Sequence, residues 1–314
     1  MPSEIAGGQN QDSTNIVADS ISNSLTFLYD RINYESTSPA ANREFKLGRM
    51  RKLARLLGDP QNSQKIIHIA GTKGKGSTSQ MVASALEQAG HTVGIFSSPH
   101  LIKVNERFSI NGNSCTDTEL YDLINRIQPV VAQMDDDPDF AGVTFFEITT
   151  AIALLHFQDR NVDVSILEVG LGGRLDSTNV LMPEAAVITP IGLDHTDRLG
   201  TTLSEIAGEK SGIIKRGVPT ISGPQEPEAL AVIQEACAAL DSPLTQVGVD
   251  LHYTIRHTDR KRQVFDVESQ TDSYHDLNIP LMGAYQVTNA TTAIGVVETL
   301  KRGSRVSLYT DSTY

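Results

Sequence analysis

Apolar and polar positions along the chain fall into two alternating rhythms. Ile16, Ile21, Leu25, Leu28 and Ile32 recur at roughly helical spacing. A loop with Ser36, Ser38 and Pro39 follows. A second helix is then predicted from Phe45 to Leu57, stopped by Gly58-Asp59-Pro60. Ile66-Ile67-His68-Ile69-Ala70 is a short apolar run, read as a buried strand that passes directly into a glycine-rich loop. Beyond the loop, Val82, Ala85, Leu86 and Ala89 sit at i, i+3, i+4 and i+7, which predicts a helix over 77–89 ended by Gly90. Thr92–Ser97 predicts a second strand, leading into Ser98-Pro99-His100.

The alternation continues. Helices are predicted over 117–134, 144–160, 202–214, 227–240 and 286–301, and strands over 162–168, 185–189 and 218–222, with strand-like segments through 244–280. Strands that alternate with helices predict an α/β fold, a mostly parallel sheet with helices on both faces. Such sheets bind ligands at the carboxyl ends of their strands, which directs attention to the loops there.

Composition narrows the class. The chain has 314 residues, of which 39% are apolar and 20% charged, an ordinary globular balance with enough length for one large or two medium domains. Residues 1–15, rich in Gly, Gln, Asn, Ser and Asp, read as a disordered leader. No apolar run approaches the ~18 residues of a membrane span, and the first residues lack the basic and apolar parts of a secretory signal. Cys115 and Cys237 are too few for a disulfide framework or a zinc cluster. With 26 basic and 38 acidic side chains, the net charge of −12 disfavours non-specific binding to nucleic acid. The expectation is a reduced cytoplasmic protein with neither nucleic acid nor membrane as partner.

Ala70-Gly71-Thr72-Lys73-Gly74-Lys75-Gly76-Ser77-Thr78 lies between a predicted strand and a predicted helix, the context a phosphate loop requires. Backbone N–H groups freed by glycines and the helix N-terminus cradle phosphates, and a lysine reaches the terminal ones. Lys75 takes the lysine role, and Ser77 or Thr78 supplies a hydroxyl near a metal. The spacing departs from the common Walker pattern, because Gly76 separates Lys75 from Ser77. A glycine-rich turn alone is weak evidence. Strand, loop, lysine and helix in that order are strong.

Three further segments follow predicted strands: Ser97-Ser98-Pro99-His100, the stretch from Glu168 to Asp176, and Leu193-Asp194-His195-Thr196-Asp197. Mg²⁺ bound to a nucleotide takes oxygen ligands and keeps waters, so a hydroxyl and one carboxylate suffice. Singly, Ser98 reads equally well as a turn residue, Glu168 as a surface carboxylate and His195 as a loop histidine. Their shared place after strands of one sheet favours a common crevice. Lys210, on a predicted helix, reads by itself as a solvated surface lysine.

Together these segments resemble folylpolyglutamate synthase/dihydrofolate synthase of the Mur ligase superfamily. The resemblance rests on HIAGTKGKGST at 68–78, SSPHL at 97–101, TFFEITTA at 144–151 and ILEVGLGGRLDSTNVL at 166–181. It continues through LDHTDRLG at 193–200, IAGEKSGIIK at 206–215 and GAYQVTNATTA at 283–293, in one collinear order over about 20–300. On this resemblance, 16–301 is the central ATP-binding domain with an N-terminal helical segment.

The resemblance implies an ATP-dependent amide ligase of folate biosynthesis and one-carbon metabolism. The γ-phosphate of ATP would pass to a carboxylate of dihydropteroate or a folate, and the amine of L-glutamate would displace phosphate from the acyl phosphate. Thr72, Lys73, Gly74, Lys75, Gly76 and Ser77 would hold the phosphates, and Asn289 the adenine side of ATP. Ser98 and Glu168 would bind one Mg²⁺ and His195 a second, supported by a carbamoylated Lys210. The catalytic set implied is Lys75, Glu168, His195 and Lys210. The pterin substrate would meet Thr144, Phe145, Phe146 and Glu147, and Leu175, Asp176 and Ser177. At helical spacing, Phe145 and Phe146 read equally as pocket surface or as core. The family is usually monomeric.

Two features depart from the pattern. Lys73 stands where the family usually has Asn. The family also continues into a smaller α/β domain that helps to hold nucleotide and glutamate, whereas this chain ends at Tyr314 with 302–314 read as an irregular tail. The expectation is a truncation or reading-frame break, and a chain that alone is weakly active or inactive. The alternatives are a non-catalytic remnant that binds ATP or pterin, and another phosphate-loop enzyme such as a kinase or GTPase, which the Glu168 and His195 segments do not suit.

Overall fold

The computed structural model describes residues 23–33 and 47–302. The expected leader at 1–15, the loop with Ser36, Ser38 and Pro39, and 303–314 of the expected tail lie outside the described residues. Residues 23–29 are helical (α1), and α2 spans Leu47–Leu56.

The strands are β1 (Lys65–Ala70), β2 (Val93–Phe96), β3 (Phe108–Ile110), β4 (Asn113–Ser114), β5 (Val164–Glu168), β6 (Ala185–Ile188), β7 (Thr220–Ser222) and β8 (Leu244–Gln246). They form one sheet in the order β4-β3-β2-β5-β1-β6-β7-β8. The run from β2 to β8 is parallel, and β3 and β4 add an antiparallel edge. The sequence pattern missed that edge because both strands are short and half-polar. A second, antiparallel sheet of order β11-β10-β9 is built from β9 (His252–Thr258), β10 (Gln263–Glu268) and β11 (Ser273–Ile279). The strand-like stretch after 244 therefore divides between two sheets.

Alternation along the central strands explains the layers. On β1, Ile66 faces a core it shares with Phe96 and Leu167, closed by α4 (Asp117–Asp135) and α5 (Phe145–Asp159). Ile67 and Ile69 point to the other face and pack with Ile95 and Ile166 against α3 (Lys75–Gln88) and α9 (Ala284–Arg302). A third core packs Ala70, Ala186 and Ile188 against α7 (Leu203–Lys210) and α8 (Pro227–Ala239). Both faces of the parallel strands are covered, which is why β1 and β5 read as continuous apolar runs.

Three boundaries differ from the sequence reading. α3 begins at Lys75, two residues before the predicted start, because Gly74 already supplies the left-handed N-cap. The helix predicted over 202–214 ends at Lys210 and continues as a 3-10 turn over Ser211–Ile213. α9 runs through Arg302, the first residue of the expected tail. A short helix, α6 (Thr196–Leu199), follows His195.

Candidate functional site

β5 lies beside β1, and the parallel register sets Glu168 opposite Ile69. β6 flanks β1 on its other side, and β2 flanks β5. The carboxyl ends of four neighbouring strands therefore carry the phosphate loop, the Glu168–Asp176 segment, the 189–195 loop and Ser97–His100. This is the crevice expected of an open parallel sheet.

The glycine-rich loop is held by the segment that follows β6: the Thr72 and Lys73 N–H groups donate to the Pro190 carbonyl at 3.1 and 3.3 Å. The Thr72 hydroxyl exchanges hydrogen bonds with the backbone of Gly192, both at 3.1 Å. Gly74 adopts φ +90°, and no side chain caps α3, so the helix opens with free N–H groups and its positive dipole end facing the loop. A Cβ on Gly74 would lie 2.4 Å from Asn289 Oδ1, so Asn289 of α9 sits directly against the loop. Lys73 is exposed, and Lys75 is half-buried as the first residue of the helix.

Glu168 is buried, and its Oε1 has no hydrogen-bond partner among the described residues. Burial pushes its carboxyl up to about 7, against the pull of Lys75 and the Ser79 hydroxyl. A buried, under-coordinated carboxylate oxygen beside a glycine-rich loop fits a hard divalent cation, and Ser98, which follows the neighbouring strand β2, has a hydroxyl of the same donor type. Ser98 is joined to Pro99 by a cis peptide, and the loop is braced by Arg107 Nε donating to His100 Nδ1 at 2.8 Å.

Lys210 is not a solvated surface lysine. It is buried at the end of α7, and its Nζ donates to the Gly71 carbonyl at 3.0 Å. Burial and the neighbouring Lys75 lower it to about 8. His195 is exposed, in left-handed conformation at the start of α6, with Nε2 3.9 Å from Asp194 Oδ1.

A cavity of about 610 Å³ opens beside these groups. Lys75, Ser98 and His195 line it, as do Thr144, Phe146, Glu147, Leu175, Asp176 and Ser177. Phe145 does not: it is fully buried, stacked on Tyr29 at 5.8 Å, with the Arg107 guanidinium 5.1 Å from its ring. Phe146, the neighbouring residue, forms wall. The ambiguity of the pair is resolved by the 100° step between successive helical residues.

Two of the cavity carboxylates, Glu147 and Asp176, also have structural duties. Glu147 closes a capping box on α5, accepting from the Thr144 N–H and hydroxyl at 2.8 Å. Asp176 gathers the 170–178 loop, accepting from the N–H groups of Gly170, Leu171 and Thr178 and from the Thr178 hydroxyl. That hydroxyl in turn meets His68 Nε2 at 2.8 Å. Glu209 and the Asp197-Arg198 pair also line the cavity, within the segments 206–215 and 193–200 but not singled out there as site residues, while Arg49 lines it from a helical position that carried no sequence signal.

An α/β domain with a glycine-rich strand–loop–helix segment and a substrate-sized cavity at the same strand ends is the class that fold and site define. The Mur ligase middle domain family matches residues 69–297. A dihydrofolate synthase/folylpolyglutamate synthase of Bacillus subtilis is 41% identical over 257 residues, covering 82% of this chain and 60% of that protein. The folylpolyglutamate synthase of Lacticaseibacillus casei is 37% identical over 246 residues, covering 78% and 58%. The apo structure of the L. casei enzyme superposes with a TM-score of 0.85 at 32% identity, over 92% of this chain and 68% of that one. A folylpolyglutamate synthase complex with AMPPCP and folate also gives 0.85. The chain belongs to the Mur ligase family, in its folylpolyglutamate synthase/dihydrofolate synthase branch. It spans 58–60% of the length of these two curated relatives.

Proposed function

We propose that the chain is the ATP-binding part of a cytoplasmic, monomeric ligase that joins L-glutamate to dihydropteroate or a folate. The observation that carries this reading is the buried Glu168 oxygen, without a partner among the described residues and set against Gly76 of the glycine-rich loop, whose Lys75 lines the cavity walled by Phe146 and the Asp176 loop. Lys75 and the open end of α3 would hold the triphosphate and offset its repulsion from the substrate carboxylate as the γ-phosphate moves across. Ser98 and Glu168 would hold Mg²⁺, whose chemistry here is charge neutralisation on the phosphates. A second ion would rest on His195 and a carbamoylated Lys210. The amine of glutamate then attacks the acyl phosphate, forming the amide and releasing phosphate.

ADP release by the purified chain tests the reading, with Mg-ATP, dihydropteroate and L-glutamate supplied separately and together. Release that needs both co-substrates and disappears in Lys75→Ala and Glu168→Ala supports it. Nucleotide and pterin binding without release would favour the non-catalytic reading. Absence of binding to either would sink both.

A further inference from the structure

We propose that Arg49 reads the ring-carbonyl edge of the pterin and is a specificity-determining residue of the cavity. The inference rests on the functional reading above and adds the contact that separates a pterin from other aryl carboxylates.

Arg49 lies on α2, outside every motif of the sequence. Its Nε donates to Glu147 Oε1 and Oε2 at 2.9 and 2.8 Å, and its side chain is only 15% exposed. The ion pair fixes the guanidinium at the cavity wall beside Thr144, Phe146 and Asp176. Nη1 and Nη2 take no hydrogen-bond partner among the described residues, and two of the carboxylates in the same wall, Glu147 and Asp176, are already engaged. Glu147 is neutralised by Arg49 and bonded to Thr144. Asp176 accepts four hydrogen bonds from its own loop. Beside these two engaged carboxylates, Arg49 presents a donor fork.

A guanidinium only donates, so it selects acceptors. A second carboxylate is a poor occupant, because the Arg49–Glu147 pair is already neutral and the added charge would stay uncompensated in a half-buried wall. A neutral acceptor pair suits it better. The pterin ring offers its C4 carbonyl beside N5, much as guanine offers O6 beside N7 to an arginine fork. The Phe146 ring in the same wall supplies a face against which a fused heterocycle packs. The p-aminobenzoyl part of the substrate has no such acceptor edge.

Calorimetric binding of pteroate and of p-aminobenzoyl-glutamate, each with Mg-AMPPCP present, tests the assignment in the wild-type chain and in Arg49→Lys. Lysine keeps a cation beside Glu147 and removes the fork. Pteroate should weaken about tenfold, equivalent to 1.4 kcal/mol, while p-aminobenzoyl-glutamate and AMPPCP keep their affinities. Equal weakening of both aryl ligands, or none for pteroate, overturns the proposal. Arg49→Gln combined with Glu147→Gln removes both charges without stranding a buried one, and should give the same selective loss if the lysine variant does not fold. A wild-type chain that binds neither aryl ligand overturns the functional reading and this inference together. Wild-type binding with unchanged selectivity in the variants overturns this inference alone.

Discussion

Lys75 and Lys210 converge on a single acceptor: their Nζ atoms donate to the Gly71 carbonyl oxygen at 3.2 and 3.0 Å. Two ammonium groups on one carbonyl repel, and Lys210 is also buried, so its amine loses its proton more readily than a surface lysine. Conversion of Lys210 to a carbamate would replace one of two facing cations with an anion. It would leave Lys75 as the cation for phosphate. In ¹³C-bicarbonate with Mg-AMPPCP, the chain should show a carbamate signal that Lys210→Arg lacks. Identical spectra for the two proteins would rule the modification out.

Phe145 and Phe146 are adjacent in sequence and should separate cleanly on mutation. Phe145→Ala empties a fully buried site and should cost about 3–5 kcal/mol in denaturant unfolding. Phe146→Ala removes cavity wall and should weaken pteroate with a smaller loss of stability. Interchanged effects would mean that the wall assignment is wrong.

His68 should leave a signature in the pH dependence of stability. Burial, with a contribution from Lys215, holds its pKa down at about 3, so it is neutral in the fold. In the unfolded chain it takes up a proton below about 6.5. The unfolded state therefore binds more protons between these values, and stability falls as the pH drops from 8 to 5, by about 2 kcal/mol from this group. Urea unfolding of His68→Gln should show a shallower dependence over that range. Equal slopes for the two proteins would contradict it. The Thr178 hydroxyl donates to Asp176 and so accepts from His68 Nε2–H, which fixes the tautomer. In ¹⁵N spectra, the His68 ring should not titrate between pH 5 and 8.

The order of elements was legible in the chain because parallel strands buried on both faces leave unbroken apolar runs, and β1 and β5 are such runs. The phosphate loop was legible for a related reason: its strand, glycines, lysine and helix are contiguous, so local chemistry specifies the motif. β3 and β4 were not, since a strand of two or three residues carries too few positions to set a period. The second sheet was seen only as strand-like sequence. Its separation from β8 depends on the packing of Phe265 and Val267 against Val287 and Ala290 of α9, a contact between distant segments.

The site divides along the same line. Ser98, Glu168 and His195 could be nominated because each follows a predicted strand, yet their neighbours could not. Arg49 meets Glu147 across 98 residues, and Lys210 meets Gly71 across 139. Neither pair has a local signature, for both are charged or polar residues at ordinary helical and loop positions.

The α/β class, the strand–glycine loop–helix segment and the family were readable in the chain alone, because each is encoded in contiguous segments of five to fifteen residues or in their linear order. Packing in three dimensions settles which of two adjacent phenylalanines is core, buries Lys210 near a second lysine, and leaves a Glu168 oxygen without a partner among the described residues. Each of these is a matter of burial and of which groups are left unpaired. Both depend on strand order and helix packing, which bring together residues that the chain keeps far apart.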